Sequence, residues 1–487
     1  MTDIIKKTLK DSVIARWTML LLVSVTMFAI YFFDSVLAPI QTVLERDLGW
    51  SPATYGTVSG SVYMLNILGF IILAGIILDR IGARKSTLIA GVLVIVGAAI
   101  KYYGMTDYFI NGGFGHAFFD SFWTAFPPSA KVAVIGFAIF GCGLEMACIA
   151  VMRAIIHWFK GKEIALALAV QVSIARMGMA TVFFFAPRWA GRNCLCEIAG
   201  DADACPPFDC IAQTICISTP VAISALLLLV GLLTACIYFM MDVKLDRQDQ
   251  SETTPSDSVS ADDEQFRFSD LKQIFTSKTF FIVAGLCVFF YMSIFSFQRF
   301  AVGMLDSRLV DMPIATSDMF ALFPFGAVLL TPILGYVLDF RGYGATMLIW
   351  GSLLMMTCHA IFAFMPDAMF TFPVALAAIV LLGVSFSLVP AALWPAIPKI
   401  VEHRMLGSAI AVVFWIQNIG LMAAPILIGH VLVATNPGID VVAGETYNYK
   451  VPMLIFASFG VLALLLAIWL KHEDKKHGYG LELPNRK

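Results

Sequence analysis

The stretch Gly141–Met177 reads GCGLEMACIAVMRAIIHWFKGKEIALALAVQVSIARM, and it decides the architecture that we expect for the whole chain. Two apolar segments flank a short basic turn at 157–162. Glu145 lies well inside the first segment, and Arg176 lies well inside the second. Placing a full charge at the centre of a bilayer costs about 2.5–3.5 kcal/mol on insertion scales. An acid and a base kept at that depth therefore indicate a function.

The composition is that of a membrane protein with many spans. Of the 487 residues, 59% are hydrophobic and 14% are charged, whereas soluble proteins average about 25% charged residues. The net charge of −2 indicates no nucleic-acid partner. No short apolar core with a cleavage site precedes the first long apolar segment, so we expect no cleaved signal peptide. We find no Ser/His/Asp cluster, metal cluster or phosphate-binding glycine loop, and we expect neither an enzyme nor a cofactor or metal ion.

Twelve apolar stretches have the length of about 20 residues that a helix needs to cross a bilayer. We therefore predict an all-α polytopic membrane protein whose twelve transmembrane helices form two six-helix bundles. The predicted parts are a cytoplasmic N-tail at 1–16, an N-terminal bundle at 17–241, a cytoplasmic linker at 242–278, a C-terminal bundle at 279–471 and a cytoplasmic C-tail at 472–487. The linker contains SETTPSDSVSADDE, and its lack of apolar residues predicts partial disorder.

The distribution of positive charge predicts the orientation. With the N-terminus inside, most Lys and Arg residues fall in the tails, the linker and the cytoplasmic loops, as the positive-inside rule requires. Both termini are then cytoplasmic, and the loop after the fifth helix lies outside. Cysteines in a loop outside the cytoplasm usually form disulfides. A metal site is less favoured, because the cysteines are irregularly spaced and no histidine lies among them. The cysteines concerned are Cys194, Cys196, Cys205, Cys210 and Cys216.

A pattern G-x-x-x-D-x-x-G occurs once in each half, at the end of the second and of the eighth apolar stretch. The pattern could be an ordinary basic turn at the membrane edge with a glycine there by chance. Because it occurs at matching positions in both halves, we favour two structural repeats that rock around a central site. The pattern resembles the signature loop of the major facilitator superfamily, which gates the cytoplasmic side. The resemblance implies gating roles for Gly75, Asp79, Arg80, Gly82, Arg84 and Asp339. The second copy lacks much of the basic tail of the first.

Glu145 and Arg176 together suit a zwitterionic ligand such as a small peptide. The acid can bind an ammonium group, and the planar fork of Arg can bind a carboxylate with two hydrogen bonds. The alternative is a structural ion pair between helices 4 and 5 without any ligand. Buried ion pairs often contribute little net stability, so we favour the functional interpretation.

Two longer segments resemble the lysosomal dipeptide uniporters of the major facilitator superfamily and their bacterial relatives. They are WFKGKEIALALAVQVSIARMG at 158–178 and ALWPAIPKIVEHRMLGSAIAVVFWIQNIGLMAAPILIG at 392–429. The resemblance implies a dipeptide transporter that works by facilitated diffusion. It implies that Glu145 holds the peptide amine, that Arg176 holds the carboxylate, and that Trp394 lies in the substrate region.

The chain also departs from the lysosomal members of that family. The first 16 residues contain no acidic dileucine sorting signal, and no N-x-[ST] glycosylation acceptor occurs in the sequence. A bacterial homologue in the cytoplasmic membrane fits better than a lysosomal protein. The accessory partner of the lysosomal members is therefore not carried over, and we expect a monomer whose partners are dipeptides and the lipid bilayer.

Other polar residues in the spans are weaker candidates. Gln417 and Asn418 are equally suited to bind a peptide amide or another helix, and Tyr31 is a candidate for the cavity wall. Asp34 is expected to be a helix-end residue at the membrane interface rather than a proton-sensitive acid.

Two other transport mechanisms stay open. A proton-coupled peptide symporter is the first, although helix 1 lacks an E-x-x-E-R motif. An organic-anion antiporter is the second, although such carriers usually present two bases rather than one acid and one base. A sensor built on a transporter fold and a membrane enzyme are disfavoured.

Overall fold

The computed structural model describes residues 9–159, 163–191, 217–252, 273–309, 312–402 and 405–484. Within these ranges the chain is helical without strands, and twelve helices are long and apolar enough to cross a membrane. The predicted all-α class and the number of spans are thus confirmed. The predicted disulfide loop with Cys194–Cys216 and the basic residues 160–162 lie outside the described residues.

The twelve spans are named here in chain order. They are α1 Val13–Ser35, α2 Pro52–Leu78, α3 Ala83–Gly104, α4 Pro128–Trp158, α5 Ile164–Gly191, α6 Ser218–Glu252, α7 Lys278–Asp306, α8 Thr316–Arg341, α9 Gly344–Phe364, α10 Phe372–Ile400, α11 Leu406–Thr435 and α12 Lys450–His477. The last helical segment of α2 continues to Ile81. Short helices in the connections cover Gln41–Leu48, Asp107–Ile110 and His116–Asp120.

Helices α1–α6 and helices α7–α12 form the two bundles. In the first, α3 packs along α4 and α1 packs against α5 and α6; in the second, α9 packs against α10 and α12, and α7 against α11 and α12. Two long seams join the bundles, one between α5 and α8 and one between α2 and α11. Twelve antiparallel passes bring both chain ends to one face, the termini face, and we name the opposite side the distal face.

Helix α2 is interrupted near its middle. Asn66–Phe70 forms a short π-helical segment, and Gly69 adopts φ = 108°, which side-chain-bearing residues rarely adopt. The indole Nε1 of Trp415 in α11 donates a hydrogen bond to the carbonyl of Ile67 at 2.9 Å. A side chain from the other bundle thus bonds a backbone carbonyl at the point where α2 is interrupted.

Two helices extend beyond the apolar stretches from which we predicted them. Helix α6 continues past Met241, where we expected the linker to begin, to Glu252. Asp242 accepts a hydrogen bond from Trp158 Nε1 at 2.7 Å, and Asp246 pairs with Arg84. Similarly, α12 continues to His477. Polar residues prolong these helices because they find partners on neighbouring helices.

Candidate functional site

Glu145 lies in the middle of α4 and is buried, with 7% of its surface exposed. Its carboxyl group faces the side-chain amide of Asn418, which belongs to α11 in the opposite bundle. Asn418 is fully buried, and apart from this contact with Glu145 its amide has no hydrogen-bond partner among the described residues. The acid of the first bundle therefore meets a neutral polar group and no counter-charge.

Arg176 lies on α5 and is equally buried. Its Nη1 donates to the hydroxyl oxygen of Thr331 on α8, so the contact crosses between the bundles. The guanidinium lies 4.2 Å from the centroid of the Phe386 ring of α10. The hydroxyl of Thr331 itself donates to the carbonyl of Ala327 at 2.7 Å. The base of the first bundle is thus held by a neutral hydroxyl and an aromatic face.

Glu145 and Arg176, both within the described part of the chain, form no ion pair with each other. The structural pair between helices 4 and 5 that we kept as an alternative is absent from this conformation. Tyr31 of α1 interacts electrostatically with both side chains, and its hydroxyl lies 3.9 Å from the sulfur of Cys148. A phenol therefore lies near both the acid and the base.

Aromatic side chains of the second bundle line the region near Arg176. Trp394 Nε1 donates to the hydroxyl of Tyr291 at 3.0 Å, and its ring stacks on Phe414 at 4.8 Å. Tyr291 stacks on Phe295 at 5.8 Å and interacts electrostatically with Arg176. The resemblance placed Trp394 in the substrate region, Tyr291 was a weaker candidate for the cavity, and the structure shows that the two are bonded.

The two amides of α11 face different ways, which the sequence left open. The Cys287 thiol of α7 donates to Gln417 Oε1 at 3.3 Å, so Gln417 bonds a helix of its own bundle. Asn418 instead faces Glu145 across the bundle interface. Of the two, Asn418 lies with the central charges.

Asp34 forms an ion pair with Arg299 of α7, which joins the bundles. The two carboxylate oxygens accept from Arg299 Nη2 at 2.9 and 2.8 Å, and Arg299 Nη1 donates to the backbone carbonyl of Asp34. Asp34 lies at the end of α1 as expected, but both residues are 4% exposed, so its expected place at the membrane interface is wrong. Sequence reasoning missed Arg299, although it is a full charge in an apolar run, the same signal that revealed Glu145 and Arg176.

Further contacts around this ion pair close the distal face. Tyr55 donates its hydroxyl to the carbonyl of Arg299 at 3.0 Å, and Gln298 Nε2 donates to Ser35 Oγ at 3.1 Å. We name the set Asp34, Ser35, Tyr55, Gln298 and Arg299 the distal gate. It holds α1 and α2 of the first bundle against α7 of the second.

The rim of the distal face carries two more contacts between the bundles. Arg188 of α5 binds Asp318 of α8 through two hydrogen bonds of 2.7 Å. Tyr447, in the loop before α12, donates to Glu45, and burial together with this bond raises the pKa of the Tyr447 phenol. Along the seam, a Cβ added to Gly429 would lie 2.2 Å from the carbonyl oxygen of Pro52, so only glycine permits this approach of α11 to α2.

The predicted gating residues of the first half lie at the turn between α2 and α3. Gly82 ends α2 with φ = 81°, and Gly75 has open space around it. Arg80 is exposed, and the side chain of Asp79 lies outside what the structure describes. Arg84 pairs with Asp246 and lies 3.7 Å from Asp242, both on α6. Arg84 therefore holds the turn between α2 and α3 against α6 of the same bundle.

The matching turn of the second half is held differently. Backbone amides of Tyr343 and Gly344 donate to the carbonyls of Glu482 and Leu481, each at 3.0 Å. Asp339 of the predicted gating set lies near Lys399 of α10, with which it interacts electrostatically. The C-terminal segment thus takes the place of the basic tail that this copy lacks.

Comparison with known proteins agrees with this architecture. The family model described as Major Facilitator Superfamily matches residues 23–307 and 311–483. The chain belongs to the Major Facilitator Superfamily. No group of three or more His, Cys, Asp or Glu residues suited to a metal ion occurs among the residues that the structure describes.

Relatives with curated names are similar over most of the chain. The protein named lysosomal dipeptide transporter MFSD1 of Danio rerio is 26% identical over 83% of this chain and 78% of its own length. The protein of that name from Mus musculus is 25% identical over 93% of this chain and 85% of its own. The Homo sapiens protein is 24% identical, with 86% and 80% covered. The resemblance predicted from the sequence is confirmed.

Solved structures of other transporters share the fold. The inward open xylose transporter XylE from E. coli superposes with a TM-score of 0.64 at 12% identity, covering 94% of this chain and 95% of that one. A bacterial homologue of the human lysosomal transporter Spinster, described as inward-facing and unoccupied, gives a TM-score of 0.60 at 13% identity, covering 97% and 98%. These similarities establish a membrane transporter fold with two six-helix bundles.

Proposed function

We propose that this multi-pass membrane protein carries dipeptides by alternating access and facilitated diffusion, with Glu145 binding the peptide amine and Arg176 the carboxylate. One observation carries the proposal. Two buried opposite charges on neighbouring helices leave each other unpaired and face neutral groups of the other bundle. Buried charges that lack a counter-charge are costly, and a zwitterion supplies both counter-charges at once.

The surroundings of the two charges suit the two ends of a peptide. Arg176 donates a hydrogen bond to Thr331, and a guanidinium carries five donors, so it can still bind a carboxylate through two hydrogen bonds. Near Glu145, Asn418 offers a buried amide that can also bond a peptide group. Trp394 and Tyr291 form an aromatic wall that accepts many side chains through apolar contact. The relatives named as dipeptide transporters support this substrate class.

The proposed orientation places both termini in the cytoplasm, as the charge distribution predicts. The conformation then has its outer side closed by the distal gate. We place the protein in a bacterial cytoplasmic membrane, acting as a monomer without an accessory subunit. The named relatives are described as lysosomal.

Uptake of radiolabelled dipeptides into proteoliposomes tests the proposal. The wild-type protein is expected to show saturable uptake of the unchanged peptide. Glu145→Gln should weaken peptides with a free amino end more than N-acetylated ones, and Arg176→Ala should abolish binding of peptides with a free carboxylate. Arg308→Ala removes the same charge where it pairs with Asp367 within the second bundle, and it should leave binding unchanged. Equal losses for free and blocked peptides would contradict the two assignments.

The coupling mechanism needs a separate measurement. A zwitterion that crosses alone moves no net charge, so its uptake should not respond to membrane potential or to a pH gradient. Uptake that an inside-acidic gradient slows and an inside-alkaline gradient accelerates would instead establish proton symport. A requirement for a preloaded anion would establish antiport.

A further inference from the structure

A fully buried lysine lies beside the distal gate and makes no hydrogen bond. Lys101 belongs to the last turn of α3, is 0% exposed, and its Nζ has no hydrogen-bond partner. The ammonium lies 3.7 Å from the centroid of the Phe137 ring and 4.8 Å from that of Phe33. Aromatic faces replace part of the lost hydration, yet an ammonium buried without a hydrogen bond remains costly. In this conformation, Lys101 has no hydrogen-bond or ion-pair partner among the described residues.

The cations near Asp34 outnumber its single charge. Lys101, Arg299 and Asp34 interact electrostatically with one another. Arg299 occupies both carboxylate oxygens of Asp34, and Lys101 forms no ion pair with it. The Arg299 guanidinium lies 6.0 Å from the same Phe137 ring that Lys101 contacts. Two cations therefore flank one aromatic ring and share one carboxylate.

The three charges belong to different bundles. Asp34 and Lys101 lie on α1 and α3 of the first bundle, whereas Arg299 lies on α7 of the second. Helix α4 approaches α3 so closely that a Cβ on Gly136 would lie 2.4 Å from the backbone nitrogen of Lys101. Lys101 is thereby fixed within the first bundle. When the bundles separate at the distal face, Arg299 must leave Asp34, whereas Lys101 stays in the same bundle as Asp34.

We infer that Lys101 is the second ion-pair partner of Asp34, which takes over its carboxylate when the distal gate opens and Arg299 withdraws. The inference rests on the alternating access of the proposed function. Without the exchange, opening would leave a buried carboxylate uncompensated, a cost that proteins rarely tolerate. Lys101 is thus a positioning residue of the transport cycle that acts through Asp34.

Hydrogen–deuterium exchange of the full chain in lipid nanodiscs measures how often the distal gate opens. The relevant segments are the distal ends of α1 and α7. Lys101→Met should lower their exchange and the dipeptide uptake rate about tenfold, because the open state then holds an unpaired carboxylate. Lys101→Arg keeps the charge and should retain most of the hydrogen exchange at the gate and most of the uptake rate. Should the Met variant not fold, Lys101→Gln keeps a donor without the charge and gives the same test.

A matched control is a second buried lysine of the distal side. Lys131, in the first turn of α4, donates to the carbonyls of Phe119 and Phe122 and does not contact Asp34. Lys131→Met should leave the exchange at the gate unchanged. An equal effect of both lysine substitutions would show that Lys101 acts only through the stability of the bundle, and would overturn the inference.

A second background separates partner exchange from other roles. With Arg299→Gln, Asp34 can pair with Lys101 whether the gate is closed or open. Adding Lys101→Met should then no longer shift the equilibrium between the closed and open gate. A shift of the same size in both backgrounds would contradict the inference. A wild-type protein that takes up no dipeptide and never exposes the distal segments would instead contradict the proposed function itself. Wild-type uptake with an unchanged Lys101→Met variant would contradict the role of Lys101 alone.

Discussion

The distal gate and the central site treat buried charge in opposite ways. At the gate, Asp34 and Arg299 come from opposite bundles and neutralise each other through two hydrogen bonds. At the centre, Glu145 and Arg176 come from the same bundle and face the neutral Asn418 and Thr331 of the other. A seam that must hold by itself contains both members of its ion pair. A site that must accept a ligand lacks the complementary charges.

The largest expected effect tests the balance of charge at the gate. Removing one member of a buried ion pair typically costs about 3–5 kcal/mol. Asp34→Asn leaves Arg299 and Lys101 without any carboxylate, so we expect a loss in that range in the free energy of unfolding. Arg299→Gln should cost clearly less, because Asp34 keeps its electrostatic interaction with Lys101. Denaturant unfolding in detergent measures both.

A surface ion pair provides the control for that comparison. Arg46 and Asp47 pair at 2.6 Å in an exposed helix near the gate, and such pairs contribute little. Arg46→Gln should therefore leave the stability unchanged. Equal losses for Asp34→Asn and Arg299→Gln would mean that Lys101 does not compensate Asp34.

An intermediate effect is expected at the neutral partner of Arg176. A peptide carboxylate must replace Thr331 at the guanidinium, and a hydrogen bond to a charged group contributes about 1.5 kcal/mol or more. Thr331→Val removes this competitor and should lower the Kd for dipeptides about tenfold. Isothermal titration of the purified protein measures the change. Asn418→Leu serves as the comparison and should not lower the Kd, because it removes no hydrogen bond to Arg176 that a peptide carboxylate must replace.

The opposite sign at Thr331 would identify a different role. If Thr331→Val weakens binding, the hydroxyl orients Arg176 for the ligand and does not compete with it. Of the two central charges, only Glu145 would then lack a partner suited to it, in contrast to the paired charges of the distal gate.

The smallest expected effect concerns the neutral part of the seam between α2 and α11. Trp415→Phe removes the hydrogen bond to Ile67 at the break of α2. The free energy of unfolding should fall by about 1 kcal/mol. Trp350 of α9 is 56% exposed and serves as the control, because Trp350→Phe removes no such bond. Equal melting temperatures for Trp415→Phe and the wild type would show that the break needs no bond from the other bundle.

Charge in apolar runs predicted the central residues, because the cost of burying a charge is visible in the sequence itself. The same criterion applied to Arg299 would have predicted a further buried residue, but not its partner. Pairing across bundles depends on which faces of α1 and α7 meet, and periodicity alone does not encode that. The opposite directions of Gln417 and Asn418 illustrate the limit, since neighbours on one helix point about 100° apart.

The helix count followed from length and hydropathy, whereas some helix ends did not. Helix α6 extends to Glu252 because Trp158 and Arg84 bind its acidic residues. Those partners are distant in sequence, so a reading by composition ended the span at Met241. The pattern shared by the two halves located both turns correctly and said nothing of what holds them.

The contacts of Glu482 and Leu481 with the turn before α9 have a practical consequence for handling the protein. The carbonyls of these residues fix two amides of the turn, and the Glu482 carboxylate accepts from the backbone and hydroxyl of Thr346 at 2.8 and 2.9 Å. A truncation ahead of Leu481, or an affinity tag fused tightly behind it, would therefore disturb the second bundle. A purification tag or fluorescent fusion at this end of the chain therefore needs a flexible linker that leaves these contacts intact.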